Sequence, residues 1–333
     1  MSTVLQRLAE VESPSIGLGC MNLSHGYGIH VPEPEALRAL DAAFDMGYRH
    51  FDTATLYGAT ANERLVGKAL AGKRHGILLA SKCGLAMDPD LGKRVIDGRP
   101  ETIRRQCEES LERLRTDHLD LYYLHRLDRN VPIEESVGAL GRLVEEGKIR
   151  AVGLSEVSAT TLHRARTEYP IAAVQSEYSL WTRNPEIALI EACREADTAL
   201  VAFSPLGRGF LTGSLKDPAT LEEGDMRRSM PRFNAENYPK NLRLLADVTA
   251  IANELGISPA QLALAWLKAQ GDDIIPIPGT RSVEHMRENL SAEPLRLEIS
   301  TVTQLNAVMT PDQVAGARYS EAQQADVDTE EFE

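Results

Sequence analysis

The chain has 333 residues, 43% of them hydrophobic, so a large core is available and wholesale disorder is excluded. Its 36 basic against 49 acidic residues leave a net charge of −13, which argues against a nucleic-acid or anionic-membrane partner, because neutralising phosphates takes a basic face. Small molecules or proteins are the partners that remain.

In chain order, short apolar, β-branched or aromatic runs alternate with helical patterns. The predicted strands are "SIGLG" (15–19), "YRHFD" (48–52), "GILLASK" (76–82), "LDLYYLH" (119–125), "IRAVGLS" (149–155), "IAAVQSE" (171–177), "ALVAFSP" (199–205) and "DIIPIPG" (273–279). Between them the apolar period changes to about 3.6. Leu37, Leu40 and Phe44 share a helix face that Gly47 brings to an end; Ile103, Cys107, Leu111 and Leu114 share another, and Ile133, Val137, Leu140 and Val144 a third. "SPAQLALAWL" opens a further helix, with Ser258 as N-cap, Pro259 at the first position and Gln261 completing a capping box.

Eight strand–helix units imply parallel strands with right-handed crossovers, and these close into a (β/α)8 TIM barrel more naturally than they open into a doubly wound sheet. The open sheet usually carries a glycine-rich first turn, and "GLGCMN" has Asn22 where the third glycine belongs. One barrel domain is expected over 1–333, with a lead-in to about residue 14 and a solvated, frayed acidic tail from about residue 320. The long irregular stretch from Gly207 to about Pro239, after the seventh strand, suggests a lid or binding arm, made apolar by Met226, Met230 and Phe233. Cys20, Cys83, Cys107 and Cys193 lie far apart with no metal-ligand spacing; no metal and a reduced, cytoplasmic chain are the simple reading, with Cys20 and Cys83 as small core residues. The N-terminus lacks an apolar signal region, and no apolar run reaches the roughly 18 to 20 residues that span a bilayer.

In a barrel, the carboxyl ends of the strands and the loops beyond them line the active face. Asp52 ends the second strand, Lys82 the third and His125 the fourth, and Tyr57 lies on the loop after the second. Taken singly, each has a plain structural use: an ion pair, a satisfied histidine, a packed phenol. Together at one mouth they describe a proton-delivery site. A cation beside a phenol favours the phenolate, so Lys82 is expected to lower the pKa of Tyr57 toward the working range while Asp52 holds the ammonium. A neutral His125 donates to an oxygen that becomes negative in the transition state. The missing partner is a hydride, which no side chain supplies, and a nicotinamide is implied.

The order Asp52, Tyr57, Lys82, His125 resembles the catalytic tetrad of the aldo-keto reductases. The words "GLGCMN", "DTATLYG", "LDLYYLH", "VGLSE", "VQSEYSLW", "SPLGRGFLTG" and "IPGTRSVEHMRENL" are similar to that family's blocks, in its order, from about residue 15 to 291. The resemblance implies a single barrel that binds NADPH or NADP in an extended pose, with NADH use left open, and a carbonyl or alcohol as small-molecule substrate. Carried over by position, Tyr57 would donate the proton, Lys82 and Asp52 would tune it, and His125 would orient the carbonyl. Ser155 and Gln175 would hold the carboxamide, Phe203 would stack on the nicotinamide, Ser204, Leu206, Gly207 and Gly209 would follow the pyrophosphate, and Leu211 would also bind the cofactor. Gly19, Met21 and Gly279 would line the cofactor cleft beside Asp52. Arg281 would meet the 2′-phosphate, with Glu288 and Asn289 near the adenine.

Three positions depart from the family's pattern. Glu156 replaces a common Asn beside the carboxamide, Phe203 replaces a frequent Tyr, and His285 stands where some members carry a second Arg. Trp181 and Arg183 are candidates for shaping the substrate pocket. Two other functions compete with a carbonyl reductase. One is a cofactor-binding regulatory subunit of the channel-β kind. The other is a barrel lyase with Lys82 as Schiff-base nucleophile, which a protonating Asp52 disfavours. Oligomeric state is not legible.

Overall fold

A computed structural model describes residues 15–28, 31–88 and 92–332; the expected lead-in lies outside them. Each of the eight predicted strands forms, most of them shorter than its apolar run. They are β1 (Leu18–Gly19), β2 (His50–Asp52), β3 (Leu78–Cys83), β6 (Leu121–Leu124), β7 (Val152–Ser155), β8 (Ile171–Glu177), β9 (Ala199–Phe203) and β10 (Ile274–Ile277). Neighbours pair in parallel in the order β1-β2-β3-β6-β7-β8-β9-β10. The ends meet where Gly17 N donates to Pro276 O (3.0 Å) and Gly19 N to Pro278 O (3.3 Å), so the sheet closes as a (β/α)8 barrel. Glycine is required at that seam: a Cβ on Gly19 would lie 2.9 Å from the carbonyl oxygen of Ile277.

Strand side chains alternate between two apolar layers. Leu78, Ala80, Leu121, Tyr123, Val201 and Ile275 fill the barrel, while Leu79, Tyr122 and Leu200 meet the surrounding helices. Those helices are α1 (Glu33–Met46), α2 (Ala61–Ala69), α3 (Pro100–Leu114), α4 (Ile133–Glu145), α5 (Ala159–Glu168), α6 (Leu189–Glu195), α7 (Tyr238–Glu254), α8 (Pro259–Ala269), α9 (Val283–Leu290), α10 (Ile299–Val308) and α11 (Glu321–Gln324). Gly47 ends α1 at φ 110°, and Ser258 and Gln261 form the expected capping box on α8.

Three departures bear on function. Between β3 and α3 the chain forms an antiparallel hairpin, β4 (Leu85–Asp88) and β5 (Lys93–Ile96), too short and too charged to show a sequence period. The stretch after β9 is a series of short 3-10 turns in which Met230 and Phe233 are wedges rather than a lid, while Met226 stays half-buried with its sulfur 4.0 Å from Arg208 Nη1. Met230 and Phe233 are buried, and Phe233 stacks on Tyr238 and meets Trp181 edge-on. The acidic tail is not frayed over its described residues. Asp328 accepts from Ser158 N (3.2 Å) and Thr161 Oγ1 (2.6 Å), and Glu330 accepts from Ala159 N (2.7 Å), so two carboxylates cap the start of α5. The helix dipole favours them there, an attraction that composition alone does not reveal.

Candidate active site

The loop after β2 is laced to β3: Thr53 N donates to Ala80 O (2.9 Å) and Thr55 N to Lys82 O (3.2 Å), and a turn from Ala54 then carries Tyr57. Its hydroxyl stands 3.4 Å from Lys82 Nζ. Lys82 is fully buried, ion-pairs with Asp52 and donates to Thr53 O at 2.9 Å. Gln175 Nε2 donates to the other oxygen of Asp52 at 2.8 Å, a link from β8 that the sequence did not disclose. His125, just beyond β6, meets the Tyr57 ring edge-on at 5.8 Å. All four predicted catalytic groups therefore come together. His25 joins them unforeseen, its ring stacked on Tyr57 at 5.9 Å.

Charge in this cluster differs from expectation in one respect. Burial pushes the Tyr57 phenol above its ordinary 10, and Lys82, which pulls it down, does not overcome that. Tyr57 is thus held as a neutral acid rather than poised near neutrality. For Lys82, burial works against the charge, but Asp52 and Tyr57 outweigh it and the pKa rises. An ammonium so held is no Schiff-base nucleophile. Burial, then Arg126, Lys82, Arg94 and His25, drives His125 well below its ordinary 6.5, so it is the neutral donor expected.

Burial likewise lowers His50, on β2, from 6.5 to about 4. A folded-state pKa below the unfolded value stabilises the fold above the unfolded pKa and loses that contribution as pH falls toward the folded one. The urea midpoint should accordingly drop between pH 6.5 and about pH 4, and drop less in His50→Gln, when unfolding is followed by circular dichroism.

A cleft of about 460 Å³ runs from Asp52, Tyr57 and Gln175, past Phe203, Ser204, Leu206 and Gly209, to Gly279, Arg281, Glu288 and Asn289, with Gly19 and Met21 on its near wall. Most of the expected cofactor residues therefore line one channel. Leu211 does not, since it is buried in the core under the loop, and Gly207 is backed by Trp181. Ser155 ends β7 with its hydroxyl 3.4 Å from Arg126 Nη1. Ser204, Gly207, Arg208 and Gly209 all take positive φ, at 49°, 56°, 57° and 91°, which winds the backbone tightly along the channel. Trp181 and Arg183 do not line it. Trp181 stacks on Phe210 at 3.9 Å, and Arg183 donates to Glu186 at 2.7 Å and covers Trp266.

Arg208, on the channel wall, belongs to a buried ionic group that the sequence did not announce. Arg318 is 2.8 Å from Glu156 and 4.0 Å from Glu177, and Arg208 donates to Glu177 (3.0 Å) and to the Tyr319 hydroxyl (3.1 Å). Burial would raise the Glu156 pKa, but Arg318, Arg126, Glu177 N and Ser176 hold it below the ordinary value. Glu156, at a position where the resemblance implies a common Asn, is an ion-pair partner turned toward the C-terminal segment.

A model of the "Aldo/keto reductase family" matches residues 15–310. The chain belongs to the aldo/keto reductase family. It is 43% identical over 324 residues to the NADP(+) aldo-keto reductase yakc of Schizosaccharomyces pombe, covering 96% of this chain and 95% of that one. It is 42% identical to a probable aldo-keto reductase 1 of Glycine max, covering 92% and 89%. Among solved structures it resembles a glycerol dehydrogenase from Gluconobacter oxydans, with TM-score 0.81, 30% identity and 90% and 94% of the chains covered. It also resembles an aldo/keto reductase from Klebsiella pneumoniae solved with NADP and acetate, with TM-score 0.70, 28% identity and 92% and 95% covered. Arg318, Tyr319 and the two carboxylates that cap α5 lie beyond the residues that the aldo/keto reductase model matches. Among the described residues, no helix is long and apolar enough to cross a membrane, and no group of three or more His, Cys, Asp and Glu is placed to hold a metal ion.

Proposed function

We propose that the chain reduces an aldehyde or ketone to its alcohol with NADPH, with Tyr57 as the acid. One observation carries this reading: a neutral, half-buried phenol 3.4 Å from a fully buried lysine that Asp52 holds as the ammonium, at the end of a cleft of about 460 Å³. The channel residues suit such a group. The tightly wound 204–209 backbone admits close approach by phosphate, and Arg281 offers a guanidinium fork to a 2′-phosphate. The name of the yeast relative and the NADP in the Klebsiella structure support the same choice.

When bound, the cofactor supplies the hydride to the carbonyl carbon. The protein does the rest. Neutral His125 and the Tyr57 hydroxyl hold the carbonyl oxygen, and Tyr57 gives it a proton as negative charge develops there. The ammonium of Lys82 then steadies the phenolate left behind, and Asp52, itself fixed by Gln175, keeps that ammonium in place. The reverse sequence oxidises an alcohol.

The test is loss of NADPH absorbance with an aromatic aldehyde and purified protein. Turnover is the expected result. Tight NADPH binding without turnover on a broad carbonyl panel would instead favour a cofactor-binding regulatory subunit. Arg281→Ala should raise KM for NADPH by about tenfold, as for loss of one charged hydrogen-bonding pair, while the NADH value moves far less. Equal changes with the two cofactors would remove Arg281 from 2′-phosphate recognition.

A further inference from the structure

The cations that line the channel lie after β9 and β10, where the cofactor phosphates would run, and a further cation, outside that lining, follows β6 on the opposite side of the barrel. Arg126 directly follows His125 at the exit of β6, three places round the barrel from β9. It is half-buried and fixed, with Nη1 donating to His125 O at 2.7 Å and to Ser155 Oγ at 3.4 Å. Both acceptors are neutral oxygens, and among the described residues it forms no ion pair. The arginines nearby differ: Arg94 pairs with Asp326, and Arg129 with Asp328 at 3.6 Å. Glu156, the buried carboxylate that feels the charge of Arg126, already has Arg318 at 2.8 Å.

Arg126 is also electrically close to the reacting groups, since its charge bears on both Tyr57 and His125. The nicotinamide phosphates have no use for a cation there. In a chain of net charge −13, a guanidinium with no carboxylate partner among the described residues, held against His125 O and Ser155 Oγ, is a feature that needs an occupant. Its Nε and Nη2 are the donors left over, and a carboxylate is the group that matches their planar geometry.

We propose that Arg126 sets substrate specificity, and that the preferred substrates are aldehydes or ketones bearing a carboxylate, which Arg126 binds while the carbonyl oxygen meets Tyr57 and His125. This rests on the reductase reading above. An aldehyde acid and its neutral ester then differ in one contact, a charge-assisted hydrogen bond in a partly desolvated site, worth about ten- to hundredfold in kcat/KM.

The experiment compares para- and meta-carboxybenzaldehyde with their methyl esters, using NADPH, in the parent protein, Arg126→Gln and Arg126→Lys. At least one acid should exceed its ester by about tenfold or more in the parent, with the ratio falling as salt is added. In Arg126→Gln the ratio should collapse toward unity, and in Arg126→Lys part of it should survive. Because each ratio is measured within one preparation, a variant that is only partly folded does not distort it. Reduction of the esters with no preference for either acid overturns the anion proposal and leaves the reductase standing. A preference that persists in Arg126→Gln overturns the part given to Arg126. Failure of the parent to reduce any of the four overturns the reductase reading and this inference with it.

Discussion

Tyr57→Phe lowers kcat by about 10² to 10⁴-fold while NADPH still binds with nearly its parental affinity. The phenyl ring keeps the edge contact with His125 and the stack on His25, so the shape of the site is retained. What disappears is the one neutral acid beside Lys82, 3.4 Å from its ammonium. Lys82 cannot stand in for it, because Asp52 holds the ammonium at Thr53. Neutral His125 has an N–H, but a neutral imidazole is a far weaker acid than a phenol and does not replace it as the proton donor. Steady-state kinetics on an aromatic aldehyde, beside a fluorescence titration with NADPH, separates the two effects. Turnover within a few-fold of the parent would take the proton donor's role away from Tyr57.

Arg318→Leu costs about 3 to 5 kcal/mol of stability, the usual result of removing one partner of a buried ion pair. Glu156 is fully buried and Glu177 nearly so, and both look to Arg318, with Arg208 as the second cation for Glu177. With Arg318 gone, burial is no longer outweighed and the Glu156 pKa climbs. In the parent this carboxyl lies below its ordinary 4.5, so its contribution is fully present above that pH and is lost as pH falls through the folded value. The gap between parent and variant is therefore widest near neutrality, narrows with acid, and closes once Glu156 is protonated in both. Urea unfolding across that pH range measures it. A variant as stable as the parent at pH 7 would show that the pair is neutral in its effect on the fold.

The barrel and the tetrad were legible because both follow from local pattern. Short apolar runs announce the eight barrel strands and a 3.6-residue period the helices between them, and strand ends mark the active face without any knowledge of distance. The net ionisation of Tyr57 was not legible, since it depends on how much protein surrounds the hydroxyl, and burial there outweighs the neighbouring cation. Nor was the Glu156–Arg318 pair, whose members stand 162 positions apart with no periodic signal to join them. The tail was misread for the same reason. Acidic composition says that a segment can be solvated, but not that a helix start lies where Asp328 and Glu330 can reach it.

The short seam between β1 and β10 has a mechanical consequence. It is the thinnest part of the hoop, closed through two-residue β1 and a few backbone contacts. Gly19 and Met21 on one side of it and Gly279 on the other also wall the cleft. Whatever fills that cleft bears on both lips of the joint, so occupancy acts as a strut across the place where the hoop would part first. Its binding free energy then adds to the work of opening the barrel.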